Sequence, residues 1–346
     1  MNTSVFASGV YGYIYLNYSD IVKTGTKTKV ETFDFVKNGV GDFLNKNLSA
    51  ETSGVAYSML FGEKDAITSL YEDFKLSGMA HLLAVSGLHI GFFVALLSVI
   101  CKLLKLKPKT KFFVIIGVLF IYAWICGFTV SVSRAFIMTT VSMLSLLLAK
   151  QYDSLSSLSL AAIIILIFRP FDLFSLGFQL SFSAVLGIIL LAKPLSRLFS
   201  KFLGQYVGGA VAVTTSATIG TLPIIITIYS RVSSLSLLAN LIAVPIASVG
   251  YMTLIVFSVI SLIFPFMRFL MVIPDLCLRA IIYIAKLTAN FDRAFIEFIP
   301  DKLLILAVFL LAFFASDYVF LNKKLKRTFG IMLALVLAFS AGIYAF

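Results

Sequence analysis

Histidine, cysteine and carboxylate side chains are scarce in this chain, with 2 histidines, 3 cysteines and 16 acidic residues among 346. His81 and His89 are the only imidazoles, so neither His-Glu-x-x-His nor His-x-His-x-Asp-His exists and those metal-hydrolase arrangements are excluded. Cys101, Cys126 and Cys277 are odd in number and scattered through apolar sequence, without Cys-x-x-Cys or Cys/His spacing. They read as small buried hydrophobes rather than metal ligands, and no metal or other cofactor is expected. No Walker A run is present, so the chain does not power transport with an ATPase of its own. The N-terminus lacks a basic stretch followed by a long uninterrupted apolar one, so no cleavable signal peptide is expected.

Apolar side chains take the place of what is missing. The chain is 60% hydrophobic and 13% charged, with a mean hydropathy of +1.03. Soluble domains lie nearer 45–50% apolar and about 25% charged. Apolar runs long enough to cross a bilayer recur at about 80–101, 112–127, 132–149, 156–168, 173–192, 206–229, 233–264, 268–289, 303–320 and 328–346. The expected fold is an all-α polytopic membrane protein, a bundle of roughly ten transmembrane helices. The run 233–264 is too long for one plain span and contains Asn240 and Pro245, so a broken or re-entrant segment is expected there.

Residues 1–50 form the polar minority. Tyr11, Tyr13 and Tyr15 alternate with Gly12, Ile14 and Leu16, a period that predicts a strand, and Lys23 to Lys29 reads as a turn-rich connector. Two short helices are expected between Glu51 and Leu76. Asp65 is positioned to cap the second, where Ile67, Leu70, Tyr71 and Phe74 make one apolar stripe. Too short and too charged to span, this part is expected to lie along the membrane surface.

The net charge of +12 reports topology before it reports a ligand. Lys102, Lys105, Lys107, Lys109 and Lys111 follow the first span; Lys193, Arg197 and Lys201 follow the fifth; Lys323, Lys324, Lys326 and Arg327 precede the last. With strict alternation all three clusters share one face, which the positive-inside rule makes cytoplasmic. Lys23, Lys27, Lys29, Lys37 and Lys46 then fall on the outer face, against the rule.

The densest polar chemistry sits at the start of the first span, in His81-Leu-Leu-Ala-Val-Ser-Gly-Leu-His-Ile-Gly91. His81, Ser86 and His89 need polar company at membrane depth, and Gly87 and Gly91 permit close approach or a break. Such a cluster either faces a watered path or marks an interface where small residues pack. Ser86 and His89, three apart, also raise an intramembrane serine hydrolase, though no orienting carboxylate is evident. Arg134, in Ser131-Val-Ser-Arg, is either a phosphate contact or a snorkelling anchor. Gln179, with Ser181 and Ser183 among Phe178, Leu180 and Phe182, either bonds across helices or lines a path. Asp275 and Arg279, four apart, are expected to neutralise each other, with Lys286 extending that face.

Four blocks together carry a family resemblance. His81 to Gly91 is similar to the signature of the ComEC family of bacterial competence proteins. Ser131-Val-Ser-Arg-Ala-Phe-Ile-Met138 resembles that family's Ser/Arg-Ala block, and Ser175-Leu-Gly-Phe-Gln-Leu-Ser-Phe-Ser-Ala-Val-Leu-Gly187 its Gly-Phe-Gln-Leu-Ser-Phe block. Leu237-Leu-Ala-Asn-Leu-Ile-Ala-Val-Pro245 resembles its Ala-Asn-Leu-Leu-Ala-Val-Pro block. The blocks cover about residues 55–260, within a ComEC-like transmembrane domain set at 51–346. The resemblance implies a channel importing single-stranded DNA across the bacterial cytoplasmic membrane, multi-pass and without an enzymatic role. Its path residues would be His81, Ser86, Gly87, His89, Gly91, Arg134, Gln179, Asn240 and Pro245. Implied partners are single-stranded DNA, membrane lipids, a DNA receptor outside, a cytoplasmic ATPase or helicase, and separately encoded soluble domains. Residues 1–50 would be the remnant of an extracytoplasmic β-barrel. The metallo-β-lactamase-like nuclease domain of many relatives lacks its histidines here. A transporter of a smaller anion or lipid head group stays open as the alternative.

Overall fold

A computed structural model describes residues 34–64, 67–229, 231–233, 235–291, 295–297, 302–319 and 325–333. The alternating tyrosines at 11–15 and the cap at Asp65 lie outside them. Nearly all backbone hydrogen bonds of the described residues close within helices, as they must where lipid offers no partners. In chain order the helices are α1 (Asp34–Asn47), α2 (Ala50–Phe61), α3 (Thr68–Leu76), α4 (Gly87–Leu103), α5 (Pro108–Ile125), α6 (Val130–Leu147), α7 (Ser154–Phe168), α8 (Leu176–Leu203), α9 (Gln205–Tyr229), α10 (Ser236–Ile263), α11 (Val272–Ala289) and α12 (Lys302–Ala315). Three-residue strands β1 (Arg231–Ser233) and β2 (Phe295–Glu297) pair antiparallel, Val232 opposite Ile296. Strands this short are below the reach of periodicity.

Five of these helices, α5, α6, α8, α9 and α10, are long and apolar enough to cross a membrane; α4 and α7 are apolar but shorter. Ile163, Ile167 and Phe168 on α7, and Phe113, Ile121 and Trp124 on α5, are exposed, the outward apolar surface that lipid accepts and water does not.

One expectation is corrected. The run 233–264 is not broken or re-entrant: α10 continues through Pro245 for 28 residues, about 42 Å of rise. Proline removes one N–H, and with its ring on an exposed position the rest of a long helix, packed along α11, keeps the helix continuous across it. The two short helices expected between Glu51 and Leu76 are present, and they pack into the protein. On α2, Thr52, Ser53, Val55, Ala56, Ser58, Met59 and Phe61 are buried. Val55, Ala56 and Met59, with Ile67 and with Leu70 and Phe74 of α3, form one core with Tyr251 and Leu254 of α10 and Leu278, Ile281 and Ile282 of α11. The apolar stripe was correct, but amphipathicity alone does not say whether protein or lipid covers it.

Polar ties hold α2 to α11. Asp275 accepts from Thr52 Oγ1 at 2.5 Å, from the Ser49 N–H at 3.3 Å and from Arg279 Nε at 2.6 Å. Lys286 reaches Glu51 at 2.9 Å. The Asp275–Arg279 pair thus forms as its spacing predicts, and Lys286 extends it. Thr52→Val keeps the shape and deletes one hydrogen bond to a carboxylate, so a loss of about 1.5–3 kcal/mol is expected. A melting temperature equal to wild type in the detergent-purified protein would show that the Thr52 hydroxyl is not needed to hold Asp275.

The tightest helix pair is α8 with α9, reversed across Gly204 at φ +76°. Ser183 and Gly187 on α8 face Ser216 and Gly220 on α9. A Cβ on Gly187 would lie 2.5 Å from the Ser216 carbonyl oxygen and 3.0 Å from Gly220 Cα, and one on Gly220 would overlap the Ser183 carbonyl oxygen. The two backbones touch directly, the small-xxx-small packing that membrane helices use.

Candidate functional site

The segment 81–91 is irregular. Gly78, at φ +73°, ends the α3 region; Ala80–Leu83 form a single 3-10 turn; Ala84 is extended; and α4 begins at Gly87. Ser86 makes the break. In extended conformation (φ −106°, ψ 167°) its Oγ accepts the His89 N–H at 3.4 Å, while His89 Nδ1 accepts the Ser86 N–H at 3.3 Å. This reciprocal cap satisfies two orphan donors of the helix end. It also speaks against a serine hydrolase: the Nδ1 lone pair holds the Ser86 main chain rather than its hydroxyl.

His89 is 1% exposed and stacks on Tyr251 of α10, with centroids 4.1 Å apart and planes at 24°. The Tyr251 hydroxyl lies 3.4 Å from that of Tyr122 on α5, which donates to the Leu60 carbonyl of α2 at 2.7 Å. One imidazole thereby sits at the junction of α4, α10, α5 and α2. His81, six residues nearer the start of the chain than Gly87, is exposed.

Arg134 lies in the first turns of α6 and is 6% exposed. Its Nη1 donates to the Ser181 carbonyl of α8 at 2.6 Å, and Ser131 Oγ bonds Ser181 Oγ at 3.1 Å. Nε is buried without a partner, and among the described residues no carboxylate pairs with the guanidinium. A Cβ on Gly87 would sit 3.5 Å from Nη2, so α4 begins against the arginine. A buried cation short of partners costs several kcal/mol unless something supplies the missing contacts.

Asn240, near the start of α10, is 8% exposed and donates to the Gly78 carbonyl at 3.4 Å, while its Oδ1 is buried without a partner. Gln179 donates to the Leu173 carbonyl at 3.3 Å, within the connector before α8. Phe178 and Phe182 stack on each other, 4.1 Å between centroids, which engages one face of each ring. Gly91 and Pro245 are exposed, and neither joins this junction.

Two residues of this region were missed in the sequence. Gly78 combines a left-handed φ with a close approach to α10, where a Cβ would meet Ser236 Cβ at 2.8 Å; its signal is the Ser-Gly that ends an amphipathic helix. Asp172, in the Pro170–Phe174 turn before α8, is buried with Oδ2 unpartnered. Burial pushes its carboxyl up from the ordinary range, partly opposed by Arg169. No group of three His, Cys, Asp or Glu suited to a metal occurs among the described residues.

Residues 59–323 match the family model described as "Competence protein". The chain belongs to the competence protein family. It is 29% identical to ComE operon protein 3 of Bacillus subtilis over 241 residues, covering 67% of this chain and 30% of that protein. To Recombination protein 2 of Haemophilus influenzae it is 27% identical over 233 residues, 60% of this chain and 28% of that one. It is also 30% identical over 236 residues to a protein of Aquifex aeolicus, of which it covers 53%. The chain thus spans less than a third of the first and second of these relatives. No solved structure matches. All four sequence blocks fall inside the matched region of this competence-family membrane protein. The fold joins the first three through Gly87, Arg134 and Ser181, and ties the fourth to Gly78, just before the first.

Proposed function

We propose that this competence-family chain forms a membrane channel through which single-stranded DNA enters the cell during natural transformation. One observation carries the reading: three polar blocks, which the sequence spreads from residue 81 to residue 187, meet around a buried arginine that no carboxylate among the described residues neutralises. An unpaired cation held by an irregular helix start suits the phosphate of a passing polyanion. Single-stranded DNA, membrane lipids, a DNA receptor outside, a cytoplasmic ATPase or helicase and separately encoded soluble domains are the partners this reading requires. The protein would lie in the bacterial cytoplasmic membrane with roughly ten crossings. The test is uptake of labelled DNA into a nuclease-protected form in a strain lacking the gene, with and without the gene restored. Wild-type uptake in the deleted strain would sink the proposal.

Transport of a smaller anion or a lipid head group is the second reading, favoured by one feature: a single arginine, rather than a row of cations, fits one charge better than a long strand.

The same geometry supports the orientation read from the basic clusters, with all three on the cytoplasmic face. The contacts of Gly87, Arg134 and Ser181 set the starts of α4, α6 and α8 at one level, so Lys102–Lys111 and Lys193–Lys201 leave the opposite end. Asp317 joins Arg197 at 2.7 Å and Lys326 at 3.7 Å, which brings the third basic cluster to the second. Burial pushes the Asp317 carboxyl up, but the Arg197 hydrogen bond and the charges of Arg197, Lys326 and Lys193 hold it below the ordinary range. Its contribution is therefore complete at neutral pH and is lost only as pH falls below about 4. Cysteines placed at Lys107 and Lys324 should resist impermeant thiol reagents applied to intact cells. Strong labelling of either would reverse the orientation.

A further inference from the structure

The start of α4 and the guanidinium of Arg134 carry charge of the same sign. The N-terminus of a 17-residue helix bears about half a positive charge, concentrated on its unpaired N–H groups. The Ser86–His89 cap engages the Ser86 and His89 N–H groups, and among the described residues the Gly87 and Leu88 N–H groups have no partner. Arg134 Nη2 lies 3.5 Å from where a Cβ on Gly87 would stand. Nη1 is engaged by the Ser181 carbonyl, which leaves Nε and Nη2, the side of the planar fork that meets two oxygens at once. The side chain is 94% buried by its 6% exposure, so water does little to screen the two positive groups from each other. No acidic side chain among the described residues pairs with the guanidinium.

We propose that the first turn of α4 and Arg134 together form an oxyanion site for one phosphate group, with Gly87 and Leu88 N–H donating from α4 and Arg134 Nε and Nη2 from α6. This deepens the DNA-uptake reading and rests on it for the source of the phosphate, a DNA phosphodiester; the site's chemistry is shared by a lipid phosphate and by inorganic phosphate. The neutral donors would let the site hold a phosphate without a second fixed charge, which suits a group that must also leave.

Substitution separates main-chain donors from the side chain. Gly87 is the first residue of α4, where proline fits helical φ, and Ser86 before it already has the extended conformation that proline demands. Gly87→Pro and Gly87→Ala both add a Cβ, and only proline removes the N–H. The whole chain, purified into nanodiscs of phosphatidylcholine, is titrated with inorganic phosphate by calorimetry. Phosphate should bind, with Gly87→Pro about tenfold weaker than Gly87→Ala and Arg134→Gln at least about tenfold weaker than wild type. Equal affinities for the two Gly87 variants, or no phosphate binding by wild type, would overturn the site. If Arg134→Gln does not fold, the proline-to-alanine ratio decides alone. Competition then assigns the source. Displacement by a single-stranded oligonucleotide, but not by one with neutral methylphosphonate linkages, supports the site as part of a DNA path. Displacement only by phosphatidylglycerol keeps the oxyanion site and removes the DNA reading. An oligonucleotide that binds wild type and both Gly87 variants alike keeps the DNA reading and removes the site.

Discussion

Arg134→Ala should reduce DNA uptake by at least about tenfold at normal protein level, and Arg134→Lys should retain part of it. The alanine variant removes the charge, the bond to Ser181 and the free edge of the fork together. Hydrogen bonds made by charged groups are worth about 1.5–3 kcal/mol each, which is about 10- to 150-fold in binding. Lysine restores the charge but has no planar fork, so it cannot hold the Ser181 carbonyl and two phosphate oxygens at once. Its intermediate rank is what distinguishes a phosphate contact from an anchor, which would accept either long cationic side chain. Protein level must be measured beside uptake, because Arg134 also ties α6 to α8 at 2.6 Å. Normal uptake in Arg134→Ala with normal protein would reduce the residue to an anchor.

The second large effect is expected at the α8–α9 contact. Gly220→Leu should lower the yield of folded protein severely, and Gly220→Ala should already destabilise it. A Cβ at 220 overlaps the Ser183 carbonyl oxygen, which belongs to a helix backbone and has no rotamer to escape into. Overpacking in cores costs about 1–3 kcal/mol where side chains give way. Here whole helices must separate, which also weakens the reciprocal contact at Gly187, so losses at the upper end or beyond are expected. Because the two glycines meet, Gly187→Ala combined with Gly220→Ala should not sum the two single losses. Gly209→Ala on the same helix is the control, since nothing lies within 4 Å of a Cβ there. Thermal unfolding in detergent reads each variant. If Gly220→Ala melts with wild type, the helices are not in backbone contact.

The sequence alone determined the class. Runs of apolar residues without acidic partners admit only helices in lipid, and the expected runs at 112–127, 132–149 and 206–229 correspond to α5, α6 and α9 within a few residues. It also selected the polar residues with a reason to be together, because burying Arg134, His89 or Asn240 is costly wherever it happens. Even the irregular start of α4 was legible, since serine followed by glycine offers both a cap and a flexible turn. Only the tertiary structure decided which of these residues meet. Arg134 joins Gly87 and Ser181, and His89 joins Tyr251, while Gly91 and Pro245 stay apart. Amphipathic pattern could not tell that α2 and α3 pack on α10 and α11, because an apolar stripe does not name the surface that covers it. The contact of Gly187 with Gly220 was equally out of reach. A small residue on an apolar helix becomes informative only when the facing backbone is known to be close enough to exclude a methyl group.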